Sequence, residues 1–200
     1  MITKSVATSV GEARVWLSRP RTTPVGLLVL GHGAGGGVEA PDLLAVTDAA
    51  LAAGWTVARV EQPYLVAGRR APDRAPKLDQ AWTEVVAAVR GRSKTPLVTG
   101  GRSMGARVAC RTAASTGAAG VVCLAFPLRP PGRPDAPSRA DELSAVTAPV
   151  LVVQGERDPF GGPTALPAGP IVVSVVDDHS LRRSAAAAGE AVAQWLQTVT

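Results

Sequence analysis

The chain has 200 residues, 46% of them hydrophobic and 18% charged, with a formal net charge of +5 at pH 7. That length fits a single domain spanning 1–200 with a sizeable core, and the composition excludes a disordered chain. No apolar run nears the ~18 residues of a membrane span and the first residues carry no secretory stretch, so the expectation is a cytoplasmic protein with no membrane partner.

In order, residues 4–10 and 13–18, separated by Gly11-Glu12, read as an antiparallel hairpin. Residues 24–30 form a continuous apolar run, the pattern of a strand buried on both faces. A glycine-rich turn follows (31–37), and a helix opens near Pro41 and stops at Gly54. Residues 55–60 are the next strand, and 66–76 are a polar, arginine-rich loop. Helical periodicity runs through Leu78, Trp82, Val85, Val86 and Val89. A strand over 96–101 and a helix to about Thr116 come next, then a strand at 119–126 and a proline-rich loop at 127–137. A short helix over 139–145, strands at 149–154 and 171–176, and an amphipathic helix over 180–199 complete the chain. Such alternation predicts an α/β protein: a mostly parallel central sheet of about eight strands with helices on both faces.

Between a buried strand and a helix stands Gly101-Arg102-Ser103-Met104-Gly105, a G-x-S-x-G nucleophile elbow in its required context. The elbow holds its serine at positive φ, clear of the sheet, and the flanking glycines remove the Cβ atoms that would crowd it. A serine hydroxyl needs a base to take its proton, usually histidine. The chain has two histidines, His32 and His179. His179 directly follows the last strand, at the carboxyl edge where open parallel sheets meet ligands. In the elbow-bearing fold the order is nucleophile, acid, histidine, and Asp158, in the loop after strand 149–154, lies between the other two. Ser103, Asp158 and His179 are therefore the candidate catalytic residues, with Glu156 as rival acid. Asp177 and Asp178 lie too near His179 in sequence to face its ring.

The turn His32-Gly33-Ala34-Gly35 supplies backbone N–H groups suited to an oxyanion hole, one donor from this loop and one from the residue after the nucleophile. Ala34 and Met104 are the candidate donors, with Gly33 the other choice on the loop and His32 shaping it. Gly31-His32-Gly33-Ala34-Gly35-Gly36 also matches the dinucleotide fingerprint G-x-G-x-x-G, but Pro41 starts the helix too late to meet a pyrophosphate.

The arginines (Arg59, Arg69, Arg70, Arg74, Arg129, Arg133, Arg182, Arg183) are scattered and lack interleaved aromatics. They read as a solvated basic surface with a mild preference for anions, not a nucleic-acid footprint. The two cysteines, Cys110 and Cys123, read as buried free thiols, with no C-x-x-C pair and no metal site.

The glycine turn 31–36, the elbow 101–105, the loop Phe126-Pro127-Leu128-Arg129-Pro130-Pro131-Gly132, the run 154–161 and Asp178-His179-Ser180 together resemble the α/β-hydrolase superfamily. Within it the chain resembles the small lidless branch related to dienelactone hydrolase, and also the hydrolase-like domain of a subunit of the NSL chromatin complex. Dienelactone hydrolases use a cysteine where this chain has Ser103, so their substrate does not carry over; Ala106 stands where related elbows often have a second glycine. The resemblance implies an α/β-hydrolase fold without a lid domain, since the loop 127–137 is too short to hold one, and a serine esterase or thioesterase acting on a small acyl substrate. The chemistry needs no metal or organic cofactor. The chain is expected to be a monomer or homodimer, and candidate wall residues are Tyr64, Leu65, Arg102, Leu128 and Phe160. The alternative is a scaffold or interaction module that keeps the fold without turnover.

Overall fold

The computed structural model describes residues 1–199; the expected domain runs one residue further, to Thr200, which lies outside the described residues. Among the described residues, eight strands form one sheet in the order β1-β2-β4-β3-β5-β6-β7-β8. They are β1 (Ile2–Thr8), β2 (Gly11–Ser18), β3 (Gly26–Gly31), β4 (Trp55–Glu61), β5 (Leu97–Arg102), β6 (Gly120–Leu124), β7 (Val150–Gly155) and β8 (Ile171–Val175). β1 and β2 pair antiparallel, β2 pairs antiparallel with β4, and every later pairing is parallel. This is the α/β-hydrolase fold expected.

Successive side chains of a strand point to opposite faces, so β3 splits its run between two cores. Leu27 and Val29 pack with Leu78, Trp82, Val85, Val108 and Phe126 on one face. Leu28 and Leu30 pack with Leu43, Val46, Val192, Trp195 and Leu196 on the other. The first face carries the helices α3 (Ala75–Arg90) and α4 (Met104–Thr116), with the short α5 (Ala140–Ser144) against α4; the second carries α1 (Pro41–Ala52) and α6 (Ala185–Leu196). β8 is an edge strand, and its Ile171 and Val172 stay exposed.

Three boundaries differ from the sequence expectation. A one-turn helix α2 (Pro63–Val66) precedes the arginine-rich loop, and α3 begins at Ala75, because proline is favoured in a first helical turn and Pro63 and Pro76 occupy those places. The last helix starts at Ala185 instead of 180. Residues before it turn around the buried Asp177, whose Oδ2 accepts the amides of Arg183 and Ser184 at 2.8 and 2.9 Å. Arg59 is a correction to the expected solvated basic surface. It is 5% exposed and donates to the Val38 carbonyl at 2.7 Å, tying β4 to the loop ahead of α1. Cys110 and Cys123 are buried free thiols with sulfurs 3.5 Å apart. No helix of the described residues is long and apolar enough to cross a membrane.

Strand order places the site. β3 connects to β4 on one side and β5 to β6 on the other, so the crevice at the carboxyl ends of β3 and β5 is the switch point where ligands meet such sheets. The β3 loop and the β5 elbow touch there. A Cβ on Gly105 would lie 2.5 Å from the Gly31 carbonyl carbon, a clash between two backbones that only glycine avoids.

Candidate active site

Ser103 sits between β5 and α4 at φ 52°, the left-handed strain expected of an elbow. Its amide donates to the Leu124 carbonyl at 2.9 Å and its carbonyl accepts the Arg107 amide at 3.2 Å, so β6 and the first turn of α4 both hold it. The side chain is left free to face the crevice.

There it meets His179. The Ser103 hydroxyl and His179 Nε2 are 2.9 Å apart, and His179 Nδ1 lies 2.7 Å from Asp158 Oδ2. Three residues from three separate loops thus form one hydrogen-bonded chain. Asp158 is fixed by two further donors: the Phe160 amide on Oδ1 at 2.8 Å and the Gln154 amide group on Oδ2 at 3.0 Å. Its side chain is fully shielded from solvent, whereas His179 keeps 17% exposure. The Phe160 ring stacks on the imidazole, with centroids 4.1 Å apart. A second close approach makes this possible, because a Cβ on Gly155 would lie 2.6 Å from the Asp178 carbonyl oxygen, pushing the His179 loop off the end of β7.

The rival acids go elsewhere. Glu156 accepts a hydrogen bond from Ser174 on the surface. Asp177 takes the amides of Asp178, Arg183 and Ser184, and Asp178 takes the Ser180 amide.

Ala34, Met104 and Ser103 line one cleft of about 1020 Å³. The Met104 amide, first in α4, has no intrahelical acceptor and is available to a ligand. The loop carrying Ala34 is anchored twice. Tyr64 is buried, its hydroxyl donating to the Ala34 carbonyl at 3.3 Å, and burial pushes the phenol up to about 12. His32 is 1% exposed; its Nε2 accepts the Gln62 amide at 3.1 Å, which leaves Nδ1 to donate to the Gly33 carbonyl at 2.8 Å. α1 starts at Pro41, residues beyond the last loop glycine, so no helix opens on the glycines as a dinucleotide turn requires.

His32 carries a stability prediction. Burial lowers its pKa below the ordinary 6.5. The folded chain then binds fewer protons than the unfolded one as pH falls below about 6.5, so stability present at neutral pH is lost towards the lower folded pKa. The urea midpoint is expected to fall between pH 7.5 and 5, and less steeply in His32→Asn. Equal slopes in both proteins would contradict this.

Of the expected wall residues, Arg102 and Phe160 line the cleft. Tyr64 and Leu128 are buried packing residues, and Leu65 packs against the core. Arg102 also has a role that its sequence position did not signal. Its NH2 group donates to the His179 carbonyl at 2.8 Å, and its Nε lies 3.0 Å from Oδ2 of Asp42, a fully buried carboxylate at the start of α1. Burial raises the Asp42 pKa, and Arg102 counters this. Removing one partner of a buried pair leaves the other charge uncompensated, at a cost of about 3 kcal/mol. Arg102→Leu is therefore expected to lower stability by about that amount and to loosen His179, whereas Asp42→Asn, which leaves no buried anion, costs less. Urea denaturation of both variants checks the asymmetry; equal losses would contradict it.

Three arginines of the cleft, Arg107, Arg111 and Arg139, were not singled out from the sequence. The spacing of Arg107 and Arg111, four residues apart on the helix following the nucleophile, is the signal that marks them as one face.

Residues 24–199 match the sequence profile of an alpha/beta hydrolase domain. Solved structures similar to the chain include an α/β serine hydrolase without a lid from Xanthomonas campestris, with a TM-score of 0.82 at 22% identity over 98% of this chain and 94% of that one. An α/β serine hydrolase homologue from Coxiella burnetii has a TM-score of 0.77 at 16% identity, covering 98% and 97% of the two chains. The esterase domain of a Rhodothermus marinus protein has a TM-score of 0.75 at 16% identity over the full length of both. No curated protein matches the sequence.

Proposed function

The chain belongs to the alpha/beta hydrolase domain family, and on that premise we propose that it is a serine hydrolase cleaving small acyl esters or thioesters through Ser103, His179 and Asp158. The observation that carries this reading is the unbroken chain from the Ser103 hydroxyl through His179 to Asp158, at 2.9 and 2.7 Å. Names given to structurally similar proteins, a serine hydrolase and an esterase domain, agree with it.

In this reading His179 Nε2 takes the hydroxyl proton as Ser103 Oγ attacks the substrate carbonyl. Asp158 keeps the other proton on Nδ1, so that Nε2 is the free base, and stabilises the imidazolium that forms. Negative charge on the carbonyl oxygen is met by the Ala34 and Met104 amides, a contribution of about 3 kcal/mol for a typical donor. His179 then protonates the leaving group, and the same cycle with water releases the acid. Every proton moves between Ser103, His179, the leaving group and water, so the cycle closes without a metal or organic cofactor.

The test is a panel of short p-nitrophenyl esters and thioesters. Turnover preceded by a burst of one product per enzyme is expected, the sign of an acyl-enzyme. Folded protein inert to the whole panel would instead favour a hydrolase fold kept as a scaffold.

A further inference from the structure

The cleft is polarised across the sheet. Its acidic residues Glu39, Glu61 and Asp73 lie on the β4 side: before α1, at the end of β4 and before α3. Arg107, Arg111 and Arg139 lie on the other side, on α4 and at the start of α5, which follows β6. Ser103, at the end of β5, stands between them.

The basic wall has more cations than partners. Arg107 grips Glu142 with two bonds of 2.8 and 2.6 Å. Arg111 grips Asp79 with bonds of 2.8 and 2.6 Å and reaches Glu142 Oε1 at 3.2 Å. Three guanidinium groups thus face two carboxylates, both already engaged. The one left over is Arg139, whose side chain makes a single hydrogen bond among the described residues, from NH1 to the Pro127 carbonyl at 3.1 Å. Burial and the neighbouring charge of Arg107 disfavour its cation, and Glu142 only partly offsets them. An arginine half-removed from water beside another arginine gains from an anion, and its planar fork suits a carboxylate.

We propose that Arg139 is an anion subsite, and that the substrate of the Ser103 site is an ester or thioester bearing a carboxylate that docks on Arg139 on the β6 side of the nucleophile. This rests on the serine-hydrolase reading above. Arg139 touches the substrate's charged end and takes no part in proton transfer. Arg182, exposed and three residues beyond His179, adds positive potential to the cleft.

Two matched pairs of esters test it. The p-nitrophenyl monoester of adipic acid against p-nitrophenyl hexanoate places the charge on the acyl side. The anion p-acetoxybenzoate against its methyl ester places it on the leaving group. In at least one pair the anionic member is expected to show kcat/KM about tenfold higher, the worth of one charged hydrogen bond. Arg139→Gln should bring that ratio to about one, Arg139→Lys should keep part of the preference, and added salt should erode only the anionic rate. A wild-type ratio at or below one in both pairs overturns the proposal without any variant, as does an equal loss on both members in Arg139→Gln. Neutral turnover without anionic preference leaves the hydrolase reading standing and removes only the subsite. A wild-type protein inert to all four esters takes both down together.

Discussion

Ser103→Ala is expected to lower kcat on a short p-nitrophenyl ester by about 10⁶-fold, the scale on which a serine nucleophile acts when its base is in place. The loss should come with almost no change in stability. The Ser103 backbone is held by Leu124 and Arg107 through main-chain bonds that alanine keeps, and among the described residues the side chain bonds only to His179. Alanine bears the same φ of 52° with no more strain than serine. Kinetics against a matched blank, with urea denaturation on the same samples, separates the two readouts. A folded variant that retains more than a small fraction of the activity would mean that Ser103 is not the nucleophile.

Asp158→Asn is expected to cost about 10⁴-fold in kcat, as the histidine loses the acceptor that sets its tautomer. Here the environment makes the substitution harsher than isostery suggests. Three donors converge on the carboxylate: His179 Nδ1–H and the Gln154 amide group on Oδ2, and the Phe160 amide on Oδ1. An asparagine turned either way points its NH2 at one set of these donors, leaving buried groups unpaired at a cost of about 1–3 kcal/mol. Activity and thermal stability should therefore fall together, unlike in Ser103→Ala. Glu156→Gln is the control. Glu156 is bonded to Ser174 at the surface and should change activity by less than about twofold. The reverse ranking would make Glu156 the acid.

What the sequence made legible has a physical pattern. The elbow was readable because its constraints are local: a buried strand, two glycines, a serine and a helix must follow one another within a few residues. Asp158 and His179 were readable because parallel strands deliver their loops to one edge of a sheet, so chain order stands in for position. The arginine wall was not. Arg107 and Arg111 show their shared face only if α4 is turned towards the cleft, and Arg139 joins them only because α5 packs against α4. Arg59 looked like one more surface cation, yet a backbone carbonyl 21 residues away in sequence gives it a buried partner. The clamp from Asp42 through Arg102 to His179 joins the start of α1, the end of β5 and the loop after β8, and no spacing rule reaches that far. Local rules placed the elements; the groups that tune the site depend on which surfaces those elements turn to one another.

Labelling with a fluorophosphonate tests the central claim most directly, because the reagent bonds only to a serine whose proton is being withdrawn. The account predicts one adduct per chain, mapped by mass spectrometry to the peptide carrying Ser103, lost in Ser103→Ala and strongly slowed in His179→Ala. Well-folded protein that stays unlabelled, or an adduct on any other residue, would contradict it.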